Sequence, residues 1–246
     1  MLLIDIGNSW LKGAYLRDED LHHICPVETA SFRSDRKFHW SLPEKKMLSP
    51  EKILVSSVAS DQVNEKCYKM LLSALEIEPH FVQVQKVFKG MTTLYATNRL
   101  GVDRWLASLA AWSKYKKNLI VVDAGTAITV DFIDYKGTHL GGLITPGPNI
   151  LANALAGSTA HLPVVSRGEK NLVIPTDTEE AIGIGLETLL LGFVNQVRAE
   201  CSHIYDSDPL WVLTGGAADT ISGGIKWPHV TEQNLVLDGL MIFAIG

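Results

Sequence analysis

The stretch "LLIDIGNSWLKGAYL" (residues 2–16) runs three apolar residues into Asp5, bends through Gly7, Asn8 and Ser9, and resumes an apolar alternation. A tight hairpin favours Asn-Gly or Asp-Gly at its bend, and Asp-x-Gly-Asn-Ser is a different order. It has a counterpart in "IVVDAGTAITVDFID" (120–134), where three apolar residues again lead into Asp123, then Gly125, Thr126 and Ala127. One such turn is an ordinary hairpin tip. Two matched copies, about half the chain apart and followed by the pair Gly215-Gly216, point instead to turns that hold an anion. Glycine lets backbone amides approach a ligand closely, and the polar residues after it add donors. The carboxylate repels phosphate but holds a metal ion, or its water, that bridges phosphates. A strand–turn–strand unit present once per half predicts a duplicated α/β fold with both turns facing a central cleft.

Working outward, strands are expected at 2–6, 11–17, 53–58, 80–85, 119–134 (with a bend), 139–147 and 210–216. Helical spacing predicts helices over 61–77, from 102 onward, 149–156, 178–200 and 235–245. The charged stretch "SKYKKN" (113–118) is the expected boundary, dividing the chain into 1–113 and 114–246, each half carrying one turn. The polar segment 33–52 reads as a loop. Trp10 and the many leucines read most simply as core.

Composition limits the functions open to this chain. It has 246 residues, 46% of them hydrophobic and 20% charged, which suits a globular protein with a substantial core. Its net charge of −5, with no long basic run, disfavours nucleic-acid binding. Three scattered cysteines (Cys25, Cys67, Cys201) fit a reducing compartment. No apolar run approaches the roughly 18 residues of a spanning helix, and the amino end lacks a signal-peptide pattern. A cytoplasmic protein without a membrane segment is expected.

Other phosphate and metal motifs are missing. There is no Gly-Lys pair for a Walker A loop, no G-x-G-x-x-G, no H-E-x-x-H and no C-x-x-C. His22, His23 and Cys25 are compact and lack distant ligands, so a surface loop is expected there. "GVDRW" (101–105) opens a predicted helix just after a glycine. The planar guanidinium of Arg104 suits two-pronged capture of a carboxylate, and Asp103 beside it can take the proton of an attacking hydroxyl. The alternative is a helix-opening Asp favoured by the dipole, with Arg104 on a solvated face.

The duplicated turns and the late Gly-Gly resemble the acetate kinase/sugar kinase/Hsp70/actin superfamily. In finer pattern the chain is similar to the type III pantothenate kinases, through "DIGNSWLK" (5–12), "GVDRW" (101–105), "DAGTA" (123–127), "GGLITPG" (141–147), "DTEEAI" (177–182) and "LVLDGL" (235–240). The resemblance implies two ribonuclease-H-like halves and transfer of the γ-phosphate of ATP to the primary hydroxyl of pantothenate, the first step of coenzyme A synthesis. It implies an ATP-binding loop of Asp5, Ile6, Gly7, Asn8, Ser9, Trp10, Leu11 and Lys12, with Thr126 on the phosphates and Gly215 and Gly216 on the adenosine. Mg²⁺ would accompany ATP, and Asp123 would hold a monovalent cation, K⁺ or NH₄⁺. Pantothenate would meet Tyr95, Gly101, Val102, Asp103, Arg104 and Thr178, with Asp103 as the base, in a homodimer. Two departures from this reading stay open. The family's glycine pair is usually followed by an acidic residue, where this chain has Ala217, and Asp177-x-x-Glu180 resembles a capping box in which Thr178 is simply a first-turn residue. A phosphohydrolase of the same superfamily and a non-catalytic nucleotide-binding accessory protein are the rival functions.

Overall fold

The computed structural model describes residues 1–17, 20–33, 40, 50–165 and 174–245. The chain forms two compact units, Met1–Ser113 with Leu235–Gly246, and Lys114–Asn234. Most of the segment 33–52, expected as a loop, lies outside the described residues.

The first unit is built on β1 (Leu2–Ile6), β2 (Trp10–Arg17), β3 (Asp20–Glu28), β4 (Ile53–Ser57) and β5 (Pro79–Phe81), in the sheet order β3-β2-β1-β4-β5. β1 is antiparallel to β2 and parallel to β4, β2 is antiparallel to β3, and β4 is parallel to β5. β1 reads as a nearly unbroken apolar run because, as the central strand, it is buried on both faces. After β3 comes the short α1 (Ala30–Arg33). Further on, α2 (Asp61–Leu75) turns Val63, Cys67, Leu71 and Leu75 inward at helical spacing, onto Leu2, Ile4, Ile6, Ile53 and Val55. Each of these fully buried aliphatic side chains contributes about 1.5–3 kcal/mol relative to exposure. The same burial pushes the Cys67 thiol up to about 12. A small hairpin, β6 (Val87–Phe88) and β7 (Met91–Thr93), precedes α3 (Val102–Tyr115).

The second unit repeats the plan. β8 (Leu119–Ala124), β9 (Ala127–Ile133), β10 (Thr138–Pro146), β11 (Leu210–Thr214) and β12 (His229–Thr231) lie in the order β10-β9-β8-β11-β12. The pairings have the same senses as in the first unit, antiparallel to one side of β8 and parallel to the other. Numbered within each unit, both sheets read 3-2-1-4-5, the ribonuclease-H-like order. α4 (Pro148–Gly157), α5 (Thr178–Glu200) and α6 (Ala218–Gly224) complete the unit. Leu190, Val194 and Val197 on α5 pack against Ile120, Val122, Val130 and Leu213. Among them the buried Tyr205 hydroxyl donates to the Leu119 carbonyl at 2.7 Å. Lys114 Nζ (2.6 Å) and the Tyr115 hydroxyl both donate to Glu232 Oε1, joining the entry of this unit to its end. Partial burial raises the Glu232 carboxyl, but these donors bring it below its ordinary value.

Several expectations need correction. The expected halves 1–113 and 114–246 differ from the compact units at the C-terminus, because α7 (Leu235–Ala244) belongs with the first unit, packed on β1 and β4. Gly239 permits this, since a Cβ there would stand 2.3 Å from the Leu106 carbonyl oxygen. Trp10 is not core but 48% exposed. His22, His23 and Cys25 stand on an edge strand rather than a loop, with His22 stacked on Tyr15. The strand expected over 80–85 is only Pro79–Phe81.

Candidate active site

The turn between β1 and β2 is closed by the Gly7 amide, which donates to the Trp10 carbonyl at 2.9 Å. Its other anchor is Thr29, fully buried at the end of β3. The Thr29 amide donates to the Ser9 carbonyl (2.9 Å) and its hydroxyl to the Gly7 carbonyl (2.8 Å). Within Asp5–Lys12 the residues divide by burial. Ile6 and Leu11 are fully buried core, so they offer a ligand only backbone, whereas Asn8 and Trp10 are exposed. Asp5 pairs across the ladder with Lys12 on β2 and Ser56 on β4. Cross-strand partners share a face of the sheet, so the carboxylate and the ammonium stem stand side by side.

A second group lies at the end of β4 and the start of α3. The Val58 amide donates to the Ile6 carbonyl at 3.1 Å, and Val58 Cγ1 is 3.8 Å from where a Cβ on Gly101 would be. Val58 therefore joins the first turn to the 101–104 segment. That hypothetical Cβ would be only 2.5 Å from Asp103 Oδ1, so glycine at 101 leaves the space into which the carboxylate folds. Asp103 Oδ1 accepts from the Arg104 amide at 2.8 Å. Arg104 is 7% exposed, which rules out the solvated-face alternative, and its guanidinium lies 5.5 Å from the centre of the Tyr95 ring. Tyr95 is itself tethered: its amide donates to Thr93 Oγ1 (3.1 Å) and its carbonyl accepts from Lys86 Nζ (3.2 Å). Val102 is buried.

In the second unit Asp123 is the next-to-last residue of β8, paired with Thr129 on β9 and Thr214 on β11. Gly215 has φ +89°, and a Cβ there would stand 2.4 Å from Asp123 Oδ1 and 2.6 Å from the Ala124 carbonyl carbon. Only glycine fits so close to the carboxylate in that backbone conformation. Gly216 is different, with open space around its Cα. The turn Gly125–Thr126 is held by Gly147, whose amide donates to the Thr126 carbonyl at 3.0 Å and whose own Cβ would be 2.4 Å from that oxygen. Asp123, Thr126 and Gly215 are thus brought together. Thr178 is exposed in the first turn of α5, where the Asp177 side chain caps the helix by accepting from the Glu179 (2.8 Å) and Glu180 (3.2 Å) amides.

The donor sets at the two aspartates are hard oxygens, the class that Mg²⁺ and alkali cations take. At Asp123 the side-chain-free glycines 125 and 215 border the carboxylate, so that backbone alone packs against it there. Sequence reading gave no part to Thr29, Val58 or Lys86, and quoted Gly147 only within a motif. Thr29 follows an edge strand with little periodicity, and the others carry no chemical signature of their own.

The sequence model of the type III pantothenate kinase family matches residues 1–200. A type III pantothenate kinase of Alcanivorax borkumensis is 33% identical over 98% of this chain and 96% of its own length. One from Nitrosomonas eutropha is 34% identical over 99% and 94%. Among solved structures, a conserved putative Baf family transcriptional activator from Campylobacter jejuni superposes with TM-score 0.58 at 22% identity, covering 100% of this chain and 98% of its own. The ethanolamine utilization protein EutJ from Carboxydothermus hydrogenoformans gives 0.55 at 16%, covering 100% and 89%. These two share the fold. The end-to-end matches at 33% and 34% identity carry more, and with the duplicated sheet and paired turns they establish that the chain belongs to the type III pantothenate kinase family.

Proposed function

We propose that this protein transfers the γ-phosphate of ATP to the primary hydroxyl of pantothenate, opening coenzyme A synthesis. The observation that carries the reading, within this family, is the group Asp103–Arg104–Tyr95. It sets a buried guanidinium on an aromatic face, and the residue before it in α3 carries a carboxylate whose orientation is fixed by a backbone amide. Pantothenate carries both a carboxylate and a hydroxyl. Arg104 takes the carboxylate in a two-pronged pair that burial strengthens, and Tyr95 walls that pocket. Gly101 and Val102 line it with backbone, and the family resemblance adds Thr178 as a further substrate contact. Asp103 accepts the proton as the substrate hydroxyl attacks the γ-phosphorus, and ADP leaves as the bond from that phosphorus to the bridging oxygen breaks.

The first turn, Asp5–Lys12, holds the phosphates through amides, Asn8, Ser9 and the Lys12 charge. Thr126 adds a donor, and Gly215 and Gly216 meet the adenosine. Asp5 would hold Mg²⁺ brought with ATP, and Asp123 would hold K⁺ or NH₄⁺. When bound, these cations neutralise phosphate charge. What the chain itself supplies is positioning, exclusion of water and proton acceptance. We further propose a homodimer, supported by the exposed apolar residues Leu143, Ile144, Ile150 and Leu189. No helix among the described residues is long and apolar enough to cross a membrane. Use of ATP supports a cytoplasmic site of action.

The test is incubation of purified protein with Mg-ATP and K⁺ against pantothenate, simple sugars, acetate and water, with products identified by mass. Phosphopantothenate alone is expected. A sugar phosphate would reassign the acceptor, and free phosphate at the same rate without any acceptor would make the protein a hydrolase.

A further inference from the structure

Thr29 lies outside every motif that carries the family resemblance, yet it makes two of the bonds that shape the first turn. An anion-binding turn must present N–H groups and keep its carbonyl oxygens turned away, because carbonyl dipoles repel phosphate. Here two carbonyls of the turn, Gly7 and Ser9, are engaged by one fully buried residue, the first through the hydroxyl at 2.8 Å and the second through the amide at 2.9 Å. The second unit shows which of these bonds the fold requires. At the same station, the residue after the third strand, Gly147 donates only its amide, to the Thr126 carbonyl at 3.0 Å, and has no room for a side chain. The amide bond therefore belongs to the shared scaffold. The hydroxyl bond belongs to the turn that carries Asn8, Ser9 and Lys12.

We infer that the Thr29 hydroxyl is a positioning group for ATP phosphate binding, holding the Gly7 carbonyl away from the anion. This rests on reading the Gly7–Ser9 turn as a phosphate turn. Thr29→Val keeps the branched shape and the amide bond and removes only the hydroxyl. Thr29→Ser keeps the hydroxyl, and Thr29→Cys replaces it with a weak S–H donor.

The experiment measures the Kd of Mg-ATP by calorimetry, and KM for ATP and for pantothenate, at a temperature where circular dichroism shows each variant folded. Thr29→Val should weaken Mg-ATP about tenfold in both Kd and KM, the scale of one buried hydrogen bond to a carbonyl left unsatisfied. Its pantothenate KM should stay within about twofold of the parent, because the bond lies in the phosphate turn rather than at Arg104. Thr29→Ser should restore ATP affinity and Thr29→Cys should fall between. An unchanged ATP Kd in Thr29→Val would overturn the inference, as would equal rises in both KM values or failure of serine to rescue. If Thr29→Val does not fold, an unchanged ATP Kd in Thr29→Cys overturns it equally. If the parent binds Mg-ATP without phosphorylating pantothenate, the proposed function fails while the Kd comparison still decides the role of Thr29. If the parent binds no Mg-ATP, both fall.

Discussion

The two Asp-x-Gly turns sit at the same place in the same 3-2-1-4-5 sheet, yet they are held differently. The first, at Gly7–Ser9, is fixed by hydrogen bonds from a buried threonine, and a Cβ on its glycine would meet only the Trp10 carbonyl, at 3.1 Å. The second, at Gly125–Thr126, keeps the backbone amide bond from Gly147 but has no side-chain hydroxyl bond from that station, and close packing takes its place, with Gly147 and Gly215 each leaving no space for a side chain. The duplicated scaffold keeps one strand order in both units, and the proposed function divides the work between them. The unit with the hydrogen-bonded turn also bears Asp103, Arg104 and Tyr95, the groups suited to an alcohol and a carboxylate. The unit with the packed turn bears Asp123 against glycine backbone, the carboxylate proposed above to hold a cation.

If the work is so divided, variants in the two units must fail in different ways. The largest effect is expected for Asp103→Asn, which keeps the shape but cannot take a proton. Its kcat should fall by roughly 10²–10⁴, nearer the lower end because a loose transition state leans less on a base. ATP affinity by calorimetry should be unchanged, and near-normal turnover would remove Asp103 as the base. Next is Asp123→Ala, expected to abolish any difference between potassium and sodium buffers that the parent shows. A parent with equal rates in both buffers would contradict a cation role in the second unit and leave the kinase reading intact.

Arg104→Lys keeps the charge but loses the two-pronged geometry. Steady-state kinetics should show pantothenate KM raised about tenfold with kcat less affected, as when ground state and transition state lose the same contact. An unchanged KM would dismiss Arg104 as the carboxylate clamp. Smallest is a stability contrast inside the glycine pair. Gly215→Ala must strain a backbone at φ +89° and push on Asp123, costing about 1–3 kcal/mol. Gly216→Ala, with open space around it, should stay within about 0.5 kcal/mol in denaturant melts. Equal losses would mean that the tight packing at Gly215 is not what holds the second turn.

The duplication, the helix over 178–200 and the turn residues were readable in sequence because each left a strong local pattern. The α/β fold followed from those patterns. β3 was not readable, since as an edge strand it buries only Ile24 and tolerates Pro26. The return of α7 to the first unit was hidden for another reason. An apolar helix announces that it will be buried, not against what, and the deciding contact of Gly239 with the Leu106 backbone spans about half of the sequence. Trp10 shows the same limit at single-residue scale: its ring reads as core, while its place after the turn leaves it half exposed. Arg104 could be read either way from sequence, and only its burial beside Tyr95 separates a pocket residue from a solvated one.

The account stands most directly on whether phosphate transfer is tied to the acceptor. ADP formation by the parent protein in Mg-ATP and potassium buffer, measured with and without pantothenate, decides it. ADP should appear only when pantothenate is present, one for each phosphopantothenate formed. ADP released at the same rate when pantothenate is left out would contradict it.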